Sequence, residues 1–121
     1  MINKAILIGN VGQEPETAVL STGKKVSKLS LATSMKFRKG DEIVNQTIWH
    51  NIIAWGGLAD VVEAYVKKGS KVYIEGHITY RNYEADGVKK YITEIIVENI
   101  RLLDKQQNKE FSKDNDNQIP F

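Results

Sequence analysis

The sequence predicts an all-β domain closed into a five-stranded Greek-key barrel, with one helix between the third and fourth long strands and a disordered C-terminal tail. Three observations predict it. Five segments show period-two alternation or β-branched enrichment, one stretch shows helical period, and turn-forming residues separate them.

Asn3 to Val11 is aliphatic and supplies the first strand, whose return runs through Thr17 to Leu20. After the turn signal Ser21-Thr22-Gly23, Lys25 to Ser34 supplies the second. Lys39-Gly40-Asp41 marks the next turn, and Thr47 to Trp55 then alternates. Trp49, Asn51, Ile53 and Trp55 share one face of that strand, and Ile48, His50, Ile52 and Ala54 share the other. The second set is the more apolar, so it is expected to face the core and the tryptophans to face solvent.

Leu58, Val61, Val62, Tyr65 and Val66 then recur at helical spacing, with Asp60, Glu63 and Lys67 opposite. The helix is expected to run for about three turns. Gly69 suits the C′ position, and Lys67 and Lys68 complement the dipole of the last turn. Lys71 to Tyr83 and Lys90 to Leu103 supply the last two strands, around the hairpin dipeptide Asp86-Gly87. Three strands, a helix and two strands is the order of the OB-fold: the twisted sheet curls until its edges meet, and the helix closes one end. A β-sandwich would need seven or more shorter strands.

Periodicity stops after Leu103. Residues 1–103 are therefore the expected domain, 104–113 a short polar linker, and 114–121 a tip that ends apolar in Ile119-Pro120-Phe121. The polar stretch has too little apolar surface to offset the entropy of ordering it.

Several function classes fall away on composition. With no cysteine there are no disulfides, thiol nucleophiles or Cys-type zinc sites. His50 and His77 lie far apart, without carboxylates at ligand spacing, so no metal or other cofactor is expected. The phosphate-loop string, G-x-S-x-G and H-E-x-x-H are all missing, and Asp60 and Glu63 lie on a solvated helix face, so no catalytic residue is expected. No apolar run approaches the roughly 20 residues of a membrane span, and no secretory apolar core opens the chain, so the cytoplasm is the expected location. Net charge is only +2. Residues 1–103 carry 14 basic and 11 acidic side chains, too small an excess to indicate a nucleic-acid partner by itself.

The aromatic residues indicate more. Trp49 and Trp55 share a strand face, Phe37 lies in or beside the preceding loop, and Tyr83 ends the fourth long strand. A single tryptophan packed under a loop needs no ligand. Two on a solvated face, with two further rings nearby, suit bases, which stack on aromatic side chains whatever their sequence. Lys4, Lys36, Arg38, Lys39, Arg81, Lys89 and Lys90 fall among these rings, several of them in the hairpin loops, where phosphates need partners. At the other end of the chain, Asp114 and Asp116 precede the apolar tip, a combination suited to an apolar pocket with a basic rim.

These residues occur in strings that resemble the bacterial-type single-stranded DNA-binding proteins. The strings are Asn3-Lys4-Ala5-Ile6-Leu7-Ile8-Gly9-Asn10, Leu31-Ala32-Thr33-Ser34, Thr47 through Gly56, Leu58-Ala59-Asp60, Tyr65 through Gly76, and the terminal Ile119-Pro120-Phe121. The resemblance implies an OB-fold homotetramer around which single-stranded DNA wraps, with no cofactor and no catalysis. It places stacking on Phe37, Trp49, Trp55 and Tyr83, and phosphate contacts on Lys4, Arg38 and Arg81. It assigns His50 and Tyr73 to subunit association. It also implies that replication and repair proteins dock on the tip, through Asp116, Ile119, Pro120 and Phe121. Relatives often carry Trp at the positions of Phe37 and Tyr83, Phe at that of Trp55, and basic residues at those of Asn51 and Gly57.

Overall fold

The computed structural model describes residues 1–104 and 110–112. Its elements are β1 (Ala5–Val11), β2 (Glu16–Val19), β3 (Lys25–Lys39), β4 (Glu42–Trp55), α1 (Gly57–Tyr65), β5 (Lys71–Ala85), β6 (Val88–Leu102) and β7 (Glu110–Ser112). The sheet runs β1-β5-β6-β4-β3-β2, and β1 also pairs with β3 at Asn10↔Ala32 and Val11↔Leu31. That pairing closes five strands into a barrel. β4 and β6 run parallel where they meet, over Asn51–Ile53 and Glu94–Ile96, and the other pairs are antiparallel.

The interior holds the alternate residues of each long strand. Leu31, Ile52, Ile74, Ile100 and Leu102 have no exposed surface, and burying each contributes roughly 1.5–3 kcal/mol. Helix α1 turns Leu58, Ala59, Val61 and Val62 onto this core. Gly76 pairs with Val97 beside the bulge where the register of β5 on β6 shifts, and a Cβ there would lie 2.0 Å from the Ile96 carbonyl oxygen. Only a glycine lets the two backbones approach so closely at this corner.

Two hairpins extend well past the barrel. β3 and β4 stay paired from Val26↔Trp55 to Lys39↔Glu42, and β5 and β6 from Val72↔Leu102 to Ala85↔Val88. The first arm turns at Gly40-Asp41, where Gly40 has φ 65°. The second turns at Asp86-Gly87, with φ 54° and 76°, the pair of positive values a type I′ turn requires.

Three expectations need correction. The helix has nine residues and ends at Tyr65, with Val66 extended at its C-cap, so Gly69 is not C′ and no basic residue lies in the last turn. Gly69 and Ser70 instead belong to a tight connection in which the Lys67 amide donates to Ser70 Oγ. Ile53, expected to face solvent, is only 4% exposed. The segment linking β1 to β2 crosses the outer face here, and its Gln13 and Glu14 line a cavity together with Glu16 of β2 and Ile53. Ile48, expected in the core, is 39% exposed, because β4 has left the barrel before its pairing with β6 begins at Asn51. Glu110–Ser112 pairs with Asn99–Arg101 along the edge of β6. Residues 105–109 and the tip, including Asp116, Ile119, Pro120 and Phe121, lie outside the described residues.

Candidate nucleic-acid interface

Residues directly opposite one another in an antiparallel pair share a face, so the register sorts the predicted site residues. Trp49 faces Ala32, Trp55 faces Val26 and Arg38 faces Ile43, all on the outer face of β3 and β4. Arg81 faces Ile92 and Tyr83 faces Lys90, and Glu94 on that side of β6 stands beside Asn51 of β4. Two tryptophans, Tyr83, Arg38 and Arg81 are therefore brought to one continuous surface, with Lys28 and Lys90. Phe37 is not among them. It faces Val44, in the alternation set of Leu31 and His50, and lies on the reverse of the arm.

Trp49 is the most exposed of the predicted rings, at 59%. One edge of it rests on the segment after β1. A Cβ on Gly12 would lie 2.3 Å from Trp49 Cζ3 and 2.7 Å from Cη2, so the glycine provides the shelf that orients the ring. Trp55 is half-buried, and the Lys24 ammonium sits 4.8 Å from its ring centroid. A base stacking on that face displaces a cation–π contact worth about 0.5–1 kcal/mol at an exposed site. Lys24 was not foreseen, and its place beside the Gly23 turn, one residue before β3, was the available signal.

Arg81 is already engaged. Its Nε and Nη2 donate to the two carboxylate oxygens of Glu94 at 3.2 and 3.1 Å, which raises its pKa above the ordinary arginine value. Glu94 is 6% exposed and lines a cavity of about 260 Å³ with Arg81, Asn51, Ser30 and Lys28. The planar fork of the pair fixes the guanidinium on the outer face and leaves half of its surface open. Lys4 lies elsewhere. It stands at the opposite end of β1 from Gly12, paired with Glu75 at 2.6 Å, and that carboxylate also accepts the Tyr73 hydroxyl at 2.8 Å. These bonds raise the pKa of Lys4 and of Tyr73 and lower that of Glu75.

His50 and Tyr73, expected at a subunit interface, occupy different surroundings. The His50 ring bonds Thr33 Oγ1 at 2.9 Å, and partial burial lowers its pKa. Tyr73 pairs with Ile8 across β1 and β5, beside Ile6 opposite Glu75. Ile6 and Ile8 are 55% and 51% exposed, so Tyr73 stands next to an uncovered apolar strip. Among the described residues no three His, Asp or Glu side chains are placed to hold a metal ion, and no helix is long and apolar enough to cross a membrane.

Comparison with known proteins agrees with this geometry. The model of the single-strand binding protein family matches residues 2–103. A single-stranded DNA-binding protein of Bacteroides thetaiotaomicron is 45% identical over 84% of the chain, and one of Chlorobaculum tepidum 41% over 84%. The matched regions span 66% and 65% of those two proteins, just under two thirds of their length. One of Rickettsia felis is 42% identical over 93% of the chain and 80% of its own length. A solved structure of a Plasmodium falciparum SSB in complex with ssDNA superposes with a TM-score of 0.81 at 36% identity, covering 86% of this chain and 96% of that one. With the barrel, its helix and residues 2–103 all matched, the chain belongs to the single-strand binding protein family.

Proposed function

We propose that this protein binds single-stranded DNA without sequence specificity, through ring stacking supported by phosphate contacts, and performs no chemistry on it. The observation that carries the reading is Trp49: a large ring, 59% exposed and braced from below by Gly12, on a face it shares with Trp55, Tyr83 and Arg81. A braced, exposed ring is already oriented before a base arrives, and each such stack is worth about 1–3 kcal/mol. Arg38 and Arg81 serve the phosphates from the same face, while Lys4 acts at the far end of β1, where its ion pair with Glu75 must open.

Family membership supports the finer roles as proposals. The protein acts in replication, recombination and repair in the cytoplasm, and its terminal tip recruits partner enzymes. It assembles as a homotetramer. Support for assembly comes from Ile6, Ile8 and Tyr73, whose apolar surface matches what a buried interface core needs, and from the β1 edge over Ala5–Gly9, which β3 leaves unpaired. Phe37, on the reverse of its arm, reaches DNA only if the strand passes around that arm.

Titration with oligo-dT tests the reading directly. Tryptophan fluorescence should quench on adding the oligonucleotide, with a log–log salt slope near −0.7 for each phosphate neutralised. Equal binding of duplex DNA would overturn it.

A further inference from the structure

Tyr80 and Tyr91 are more exposed than any ring in the predicted site, at 72% and 68%. Both lie on the β5–β6 arm, where Tyr80 faces Thr93 and Asn82 faces Tyr91. By that register they share one face of the arm, and Arg81, Tyr83 and Lys90 occupy the other. Diagonal neighbours across an antiparallel pair stand about 7–8 Å apart, roughly twice the 3.4 Å rise of a stacked base.

The two faces communicate. β4 and β6 are paired over Asn51–Ile53 and Glu94–Ile96, and before those residues each strand runs out along a different arm. The arms leave a notch of about 280 Å³ between them, bounded by Trp49 and His50 on β4 and by Tyr91 and Thr93 on β6. Trp49 belongs to the outer face and Tyr91 to the reverse face, yet both line this notch.

Building on the single-strand reading above, we infer that DNA stacked on Trp49 passes through the notch and continues onto Tyr91 and Tyr80 on the reverse face. The occupant is nucleic acid rather than a second copy of the chain because of what surrounds the rings. Asn82, Glu84, Lys89 and Thr93 share their face, and its aliphatic pair, Ile78 and Ile95, is taken up by the barrel core, so beyond the barrel the tyrosines are separate rings on a polar surface, without the aliphatic centre that a protein interface buries. Bases stack on separate rings, and the sugar–phosphate chain spans the polar gaps between them. A strand taking this path crosses from one side of the barrel to the other without leaving an aromatic contact.

The test uses the full chain and oligo-dT of increasing length, with Tyr80→Ala, Tyr91→Ala and the double variant, each ring exposed enough to remove without disturbing the core. The shortest oligonucleotides that quench Trp49 should bind wild type and variants alike. Longer ones should lose about fivefold or more for each ring removed, and Tyr→Phe should restore binding, since stacking needs no hydroxyl. Equal binding at every length, or an equal loss at every length, overturns the passage. So does a changed sedimentation coefficient with DNA binding intact, which places the tyrosines between copies of the chain. If wild type itself fails to quench at any length, the single-strand reading fails with it.

Discussion

Replacing Gly12 with alanine isolates the part that orientation plays in the Trp49 stack. The new Cβ would stand 2.3 Å from Cζ3, whereas carbon atoms in ordinary contact stand about 3.5–4.0 Å apart. The ring edge must therefore retreat by roughly 1.2 Å. It can do so, because the atoms in the way are the far edge of a side chain that is 59% exposed. Gly12 does not have the positive φ that would strain an alanine, so the stability cost is confined to an off-rotamer tryptophan, about 0.5–1.5 kcal/mol, partly offset by a less flexible unfolded chain. Binding should suffer in a different way. A gap of about 1 Å forfeits about half of a contact, and the retreat is slightly larger, so a stack of about 1–3 kcal/mol should lose about 0.5–1.5, or roughly two- to twelvefold in affinity. Oligo-dT titration of Gly12→Ala, Trp49→Ala and the double variant measures this. The alanine should weaken binding in the wild-type background and have no effect once the ring is gone. Losses that simply add would refute the shelf, because then Gly12 would act independently of Trp49.

Three further outcomes follow from the ionisable groups. Arg81→Ala strands the Glu94 carboxylate in a site only 6% exposed, which should lower stability by about 1–3 kcal/mol, and adding Glu94→Gln should restore it; chemical denaturation reads both. The same Arg81→Ala variant should make the salt slope shallower by about 0.7, while an unchanged slope would show that Arg81 meets no phosphate. Burial lowers the pKa of His50, so the unfolded chain takes up that proton first. Its contribution to stability is complete above the unfolded pKa of about 6.5 and is lost as pH falls through the lower folded value. His50→Gln should flatten the fall in Tm between pH 7 and pH 5; the same fall in the variant would exclude His50 as its source.

Legibility followed burial. β1 and the inner halves of β3 to β6 were readable because one side of each meets the core and selects aliphatic residues at period two. The outer halves of the arms were not. The second strand was expected to end at Ser34 and the third to begin at Thr47, yet β3 runs to Lys39 and β4 begins at Glu42. Both faces of that stretch are largely solvated, so no alternation marks it, and cross-strand backbone pairing with a two-residue turn holds it instead.

The sequence by itself determined the strand order, the helix between β4 and β5, the outward tryptophans and the family strings, since each is written in local period or in contiguous residues. Only the tertiary structure decided which rings share a surface. Phe37 was grouped with the tryptophans by proximity in the chain, and one step of a period-two register sets it on the other side. Tyr80 and Tyr91 attracted no notice in the sequence because exposure, not identity, distinguishes them. The partners of Arg81, Trp49 and Trp55 are Glu94, Gly12 and Lys24, separated from them by 13 to 37 positions: Glu94 and Lys24 arrive when the two hairpins pair, and Gly12 reaches Trp49 only once β1 closes the barrel against β3.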